Sequence, residues 1–233
     1  MYRSLDSEKI VDTIATLHRR IDERFPDSGL GKVCRELLTI AGESQERSAW
    51  IARPHMALRV ITWLVLIIMA SGLIAVLASA AWPRGGFELV GLVQGLEAAL
   101  NITILFGAAA LFLVTVEVRM KRKRALKAIH ELRALAHVID MHQLTKDPER
   151  LRTQDTASSP KRTLRAPELV RYLDYCSEML SLIGKLAALY VQKFDDPVAL
   201  AAVNEVEELT TSLSRKIWQK IMILNVILAE ELV

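Results

Sequence analysis

Two long apolar stretches dominate this sequence of 233 residues. The first, Val60–Ala81, contains no charged residue, and as an α-helix it would be about 33 Å long. Because the hydrocarbon core of a bilayer is about 30 Å thick, a helix of this length and composition can cross it. We therefore predict a membrane-spanning helix at about residues 58–81.

The second apolar stretch, Gly91–Val118, is uncharged from residue 102 to residue 116 and has a more polar beginning. It predicts a second membrane-spanning helix at about residues 92–118. The short loop between the two helices, 82–91, contains proline and paired glycines, which end helices. We expect residues 57–120 to form a two-helix transmembrane hairpin.

Basic residues flank both apolar stretches, whereas the loop between them holds only Arg84. Because positive residues stay on the cytoplasmic side, both termini are predicted to be cytoplasmic. The first stretch follows about fifty mostly polar residues, so we expect a retained anchor in the bacterial inner (plasma) membrane. The residues expected to contact lipid headgroups are Arg53, Arg59, Arg119, Lys121, Arg122, Lys123 and Arg124.

The segments on either side of the hairpin have helical periodicity. Residues 1–56 predict a pair of cytoplasmic helices, Ser4–Arg24 and Leu30–Trp50, each with an apolar face. After the second span the helical pattern continues to about Leu144, which predicts a cytoplasmic stalk helix within residues 121–147.

Polar and prolyl residues follow the stalk, so residues 148–166 are predicted to be a flexible linker. Residues 167–233 predict a C-terminal antiparallel hairpin of two helices, because Asp196 is a good N-cap and Pro197 a good first helical residue. The first of these helices has apolar residues at heptad spacing, as in a coiled coil: Leu169, Leu173, Cys176, Leu180, Ile183, Ala187, Tyr190 and Phe194. The predicted fold class is all-α, a transmembrane hairpin with a cytoplasmic helical domain.

Two features predict close packing between helices. Gly91 and Gly95 have the G-x-x-x-G spacing that lets membrane helices approach closely. Residues 221–229 are apolar nearly all round, so they need cover from the other helices, the membrane surface or another copy of the chain. The C-terminal packing candidates are Leu213, Ile217, Ile221, Leu224 and Leu228.

The second span carries polar side chains along one helical face. Its pore-lining candidates are Gln94, Glu97, Asn101, Ala108, Phe112 and Thr115. In a ring of identical chains this face would present an acidic mouth, a ring of amides and an apolar constriction, as in a cation-selective pore. The alternative is that Glu97 lies at the headgroup level and Asn101 bonds a neighbouring helix.

The sequence offers little for metal binding or catalysis. His130, His137 and Asp140 share a face of the stalk, but they lack the spacing of a zinc helix, so we predict no metal and no cofactor. No phosphate loop, nucleophile elbow or H-E-x-x-H motif is present, so we do not expect an enzyme. The net charge of +3 and the position of the basic cluster beside a span give no indication of nucleic-acid binding.

These patterns favour a homo-oligomeric two-span membrane protein, an ion channel or pore organised by its cytoplasmic helices. Two spans cannot enclose a conduit alone, so this function requires several copies of the chain. The alternative is a non-conducting membrane-anchored scaffold or signalling adaptor that binds a cytoplasmic protein partner. No sequence signature assigns the chain to a family.

Overall fold

The computed structural model describes residues 4–54, 56–81, 89–148, 157–158 and 164–230. Within these ranges no β-strand occurs, and the predicted all-α class is confirmed. The helices in them are α1 (Ser7–Arg24), α2 (Gly29–Gly42), α3 (Ser44–Ala52), α4 (Met56–Ala81), α5 (Leu89–Leu144), α6 (Ala166–Val191) and α7 (Pro197–Glu230).

The two helices predicted before the apolar stretches differ from those in the structure. The first helix begins at Ser7, because the Asp6 carboxylate accepts a hydrogen bond from the Glu8 amide and caps it there. The helix predicted at Leu30–Trp50 is two helices, since α2 ends at Gly42, a residue type of low helix propensity.

Two predicted segments fall largely outside the described residues. Of the loop 82–91, residues 82–88 are not described, and residues 89–91 are not a loop but the start of α5, which begins at Leu89 rather than at about residue 92. Of the linker 148–166, residues 149–156 and 159–163 are not described.

The chain divides into two compact units, and residues 53–123 form the smaller one, the two-helix unit. It consists of α4 and the first part of α5. Each helix has a row of half-buried residues that are mostly three or four positions apart. The row runs from Thr62 to Leu73 on α4 and from Gly95 to Val116 on α5. An ion pair of 3.6 Å between Arg59 and Glu117 joins the two helices on these sides.

The outer sides of the two-helix unit are apolar and exposed. Leu64 on α4 is 52% exposed, and Leu111 on α5 is 72% exposed. Each of two helices contains an 18-residue stretch with a mean hydropathy of 2.2, none of which is buried, so both are long and apolar enough to cross a membrane. Apolar surface of this extent favours a membrane protein over a soluble one.

The larger unit comprises residues 1–52 and 124–233, and we call its described part the helical domain. Helix α6 lies at its centre and buries residues on all sides, including Tyr172, Leu173, Met179 and Leu186. Of the predicted heptad seam all but Phe194 are buried, yet α6 also buries its other faces. It is therefore a core helix of a globular domain, which differs from the one-sided seam of a coiled coil.

Side-chain contacts fix how the other helices lie against α6. The Leu5 amide donates to Gln192 Oε1, and Arg20 pairs with Glu178 at 2.9 Å, so α1 runs antiparallel to α6. The capping carboxylate of Asp196 accepts from the amides of Val198 and Ala199, as its predicted N-cap role requires. The chain then reverses into α7, which lies antiparallel along α6.

The last part of α5 packs beside α7 and α3. Arg133 pairs with Glu205 of α7 at 3.0 Å, and Glu131 pairs with Arg47 of α3. One side of this segment of α5 is fully buried, with Leu132 and Ile139 at 0% exposure. Burial of each such aliphatic side chain contributes about 1.5–3 kcal/mol, which makes this part of α5 a member of the domain core.

Candidate functional site

The six pore-lining candidates are all exposed and lie on one face of α5. We call this face the polar stripe; it consists of Gln94, Glu97, Asn101, Ala108, Phe112 and Thr115. Consecutive members are three, four, seven, four and three residues apart. At 3.6 residues per turn they fall within an arc of about 60° around the helix axis.

Helix α4 does not cover the polar stripe. The half-buried side of α5, which includes Gly95, Ala99 and Phe106, lies about 150° around the helix from the centre of the stripe. The carboxylate of Glu97 and the amides of Gln94 and Asn101 therefore project away from α4. Within the part of the chain that the structure describes, all three side chains are exposed.

The chemistry of the polar stripe changes along its length. Its first two turns carry a carboxylate and two amides, whose oxygens can replace water around a cation. From Ala108 onward the side chains are small or apolar, apart from Thr115. The Thr115 hydroxyl donates to the Leu111 carbonyl at 2.7 Å, which leaves its oxygen facing outward only as an acceptor.

A second group of charges, missed by the sequence analysis, lies near the other end of the two-helix unit. Glu117 pairs with Lys121 at 2.9 Å and with Arg59 at 3.6 Å. The side chains of Glu117 and Lys121 are only 14% and 15% exposed. Arg59 and Lys121, predicted as headgroup contacts, thus bind a carboxylate of their own chain. Glu117 and Lys121 are four residues apart, a spacing at which opposite charges on one helix face form ion pairs, so the sequence alone could have predicted this pair.

The remaining predicted anchoring residues have varied surroundings. Arg53, Arg119 and Lys123 are exposed, and Arg122 is half-buried. The guanidinium of Arg124 lies over the Trp50 ring, 4.2 Å from its centroid, and donates to the Trp50 carbonyl. Arg124 therefore joins α5 to α3 within the helical domain by a cation–π contact.

The residues predicted to pack between helices differ in whether the structure buries them. A Cβ added at Gly91 or Gly95 would meet no atom within 4 Å, so neither glycine mediates a close helix contact among the described residues. On α7, Leu213, Ile217, Ile221 and Leu224 are buried, and Leu228 is half-buried. Close approach at the two glycines stays a prediction for contacts between copies.

The histidines of the stalk do not assemble a site. His130 and His137 are exposed, while Asp140 accepts a hydrogen bond of 2.6 Å from the Gln143 amide. Among the described residues no three His, Cys, Asp or Glu side chains are grouped so as to hold a metal ion.

A polar cluster joins α3, α5 and α6 in the helical domain. Arg47 binds Glu43 of its own chain segment at 2.7 Å and Glu131 of α5. The buried Tyr190 ring lies beside it, and burial raises the pKa of the Tyr190 phenol to about 12. The phenol therefore stays protonated at neutral pH, and the cluster tethers α5 rather than performing acid–base chemistry.

Neither cysteine of the helical domain is a reactive thiol. Cys34 and Cys176 are free and fully buried. Burial raises the pKa of each thiol to about 12, so the thiolate is scarce at neutral pH.

A groove between α1 and α6 is lined by charged side chains whose charges are largely paired. Arg20, on one side, binds Glu178, and Arg171, on the other, lies 3.6 Å from Asp174. The groove therefore lacks the concentrated positive charge of an anion site.

The outer side of α7 carries exposed apolar residues. Trp218, Met222 and Val226 are 58%, 58% and 53% exposed and stand four residues apart along one face. We call this face the α7 stripe. It lies opposite the buried residues Ile221 and Leu224, so the described residues cover only one side of the apolar C-terminal segment.

Comparison with protein-family models, curated proteins and solved structures finds no match to this chain.

Proposed function

We propose that this chain is a homo-oligomeric two-span membrane protein that forms an ion channel or pore. The transmembrane hairpin consists of α4 and the first part of α5, with both termini in the cytoplasm and the membrane being the bacterial inner membrane. Copies of the chain surround a central conduit, and the polar stripe of each α5 faces that conduit.

The observation that carries this proposal is the exposure of the polar stripe on an otherwise apolar helix. Glu97 and Asn101 face away from α4, so a lone hairpin in lipid would present them to acyl chains or headgroups. A charged side chain at the centre of a bilayer costs about 2.5–3.5 kcal/mol on insertion scales, less toward the surface. A ring of copies removes this cost, because the stripe then faces water and the apolar sides face lipid.

The helical domain supports assembly rather than conduction. Helix α5 continues without interruption from the span into the core of this domain, where Leu132 and Ile139 are fully buried. Packing among neighbouring domains can therefore set the position of α5.

The test is ion flux in vesicles that contain the purified protein. The wild type should conduct, and Glu97→Gln and Asn101→Leu should change conductance or selectivity. The matched control is Leu96→Ala, an exposed residue of α5 outside the polar stripe, which should leave both unchanged. Protein that runs as a monomer in mild detergent, or conducting protein indifferent to both stripe variants, would refute the proposal.

The α7 stripe supports a second candidate function, a membrane-anchored adaptor for a cytoplasmic protein. Trp218, Met222 and Val226 form the kind of exposed apolar helix face that binds a partner helix or groove. The discriminating measurement is purification from native membranes. A stoichiometric second protein lost in a Trp218→Ser/Met222→Ser variant, together with an absence of ion flux, would favour the adaptor.

A further inference from the structure

Arg119 continues the polar stripe beyond its predicted end. It lies four residues after Thr115 and is exposed, and at 3.6 residues per turn it falls within the same arc as Gln94 and Asn101. Arg119 is one of the seven basic residues that the sequence predicts as headgroup contacts. Its position on α5 distinguishes it from Arg59 and Lys121, which are held by Glu117.

Arg119 and Glu97 stand about one bilayer thickness apart. Twenty-two residues of helix separate them, which corresponds to about 33 Å. The only charged residue between them is Glu117. It lies on the α4 side of the helix and is paired with two cations, so it does not neutralise Arg119 on the stripe.

We propose that Arg119 forms a basic ring at the cytoplasmic mouth of the conduit, opposite in charge to Glu97 at the outer mouth, and that this pair of rings makes the current rectify. This inference depends on the proposed function. In a ring of copies with the polar stripe inward, the conduit has an acidic ring at one end and a basic ring at the other. Such a conduit is bipolar and rectifies the current.

The direction of rectification follows from the order of the two rings. A voltage that drives cations in from the Glu97 end also drives anions in from the Arg119 end, so ions of both signs accumulate and the conductance is high. The opposite voltage draws both kinds of ion out of the conduit and the conductance falls. The larger current therefore carries cations from the Glu97 mouth toward the Arg119 mouth.

The experiment measures current at equal and opposite voltages for oriented full-length protein in planar bilayers with the same KCl solution on both sides. The wild type should rectify. In Arg119→Gln the ratio of the two currents should move toward one, with the remaining rectification due to the Glu97 ring alone, whereas Arg119→Lys should retain the wild-type ratio. Arg53→Gln, which removes an exposed basic residue outside α5, is the matched control and should rectify like the wild type.

A cysteine variant tests whether the positive charge at position 119 causes the rectification. The same assembled protein is compared before and after modification, so a defect in the assembly of Arg119→Gln does not affect the result. Cys34 and Cys176 are fully buried, so a thiol reagent applied to Arg119→Cys reaches the new cysteine selectively. A positively charged methanethiosulfonate should restore rectification, and a negatively charged one should not.

The two levels of the proposal fail in different ways. Conducting protein whose rectification is the same in the wild type, Arg119→Gln and both modified forms of Arg119→Cys would overturn the role of Arg119 alone. An equal loss of rectification in Arg53→Gln and Arg119→Gln would overturn it as well, since any basic residue near the membrane would then be sufficient to make the current rectify. Wild-type protein that does not conduct would reject the channel function and this inference with it.

Discussion

Lys220 of α7 binds Gln143 at the end of α5 through both the main chain and the side chain. Its Nζ lies 2.9 Å from the Gln143 carbonyl oxygen and 2.7 Å from Oε1. Gln143 is the penultimate residue of α5 and is only 1% exposed. The Gln143 carbonyl also accepts a hydrogen bond of 3.0 Å from the Lys146 amide, so Lys220 adds a second donor there and supplies one to the side-chain oxygen. Its positive charge is favourable at the C-terminal end of a helix.

We predict that Lys220→Met lowers the free energy of unfolding of the helical domain by about 1 kcal/mol at neutral pH. The variant removes the Lys220 donor from the side-chain oxygen of the buried Gln143, while the main-chain oxygen keeps the Lys146 amide as its donor. Loss of the hydrogen bond to a buried acceptor costs more free energy than the burial of a methionine side chain recovers. Urea unfolding of the full-length chain in mild detergent, followed by circular dichroism, measures the difference.

The same pair predicts a pH dependence. Burial lowers the pKa of Lys220 below its ordinary value of 10.5, against the opposing effect of Asp147 and Asp140. Between the folded and unfolded pKa values the unfolded chain binds more protons, so the free energy of unfolding rises with pH. The gap between the wild type and Lys220→Met should therefore widen as the pH approaches 10.5, and a constant gap would contradict this.

Arg47 and Glu131 should be energetically coupled. The pair joins α3 to α5, and their side chains are 31% and 35% exposed, so solvent screens the interaction only in part. A double-mutant cycle with Arg47→Met and Glu131→Gln should give a coupling energy of about 1 kcal/mol. The Arg20–Glu178 pair, at 43% and 41% exposure, is the matched comparison and should give a smaller value.

Much of the fold could be predicted from local patterns. The two uncharged stretches, the helix that continues to Leu144 and the Asp196–Pro197 helix start are each set by neighbouring residues in the sequence. Periodicity alone also places the polar stripe on one face, because a helix fixes the angle between its residues.

The contacts that depend on how helices rotate against one another were not predictable in this way. Lys220 and Gln143 are 77 residues apart, and nothing in either local pattern indicates that they meet. The pairing of Arg59 with Glu117 likewise depends on which face α5 turns toward α4. The central position of α6 was underestimated for a similar reason, since a heptad count detects one buried face and not burial by several neighbours.

Both thiols should resist labelling in the folded protein. The pKa of each is raised to about 12 by burial, and both side chains are fully buried. We expect Cys34 and Cys176 to react with a maleimide at pH 8 only after the helical domain unfolds, so that labelling and loss of circular dichroism share one urea midpoint. Fast labelling of either thiol without denaturant would show that the helix around it opens locally.

Neighbouring residues on α7 should respond in opposite ways to truncation. Leu224 is fully buried, so Leu224→Ala should lower the free energy of unfolding by about 2–5 kcal/mol. Met222 on the α7 stripe is 58% exposed, and Met222→Ala should change the same quantity by less than about 0.5 kcal/mol.

The contrast also shows whether another chain covers the α7 stripe in the assembled protein. If Met222 packs only against solvent, the small effect of Met222→Ala should be independent of protein concentration. A copy of the chain bound to the stripe would stabilise the folded state by mass action, so the loss in Met222→Ala would grow with protein concentration. Repeating the urea titrations over a range of protein concentrations, with Leu224→Ala as the reference that stays constant, separates the two cases.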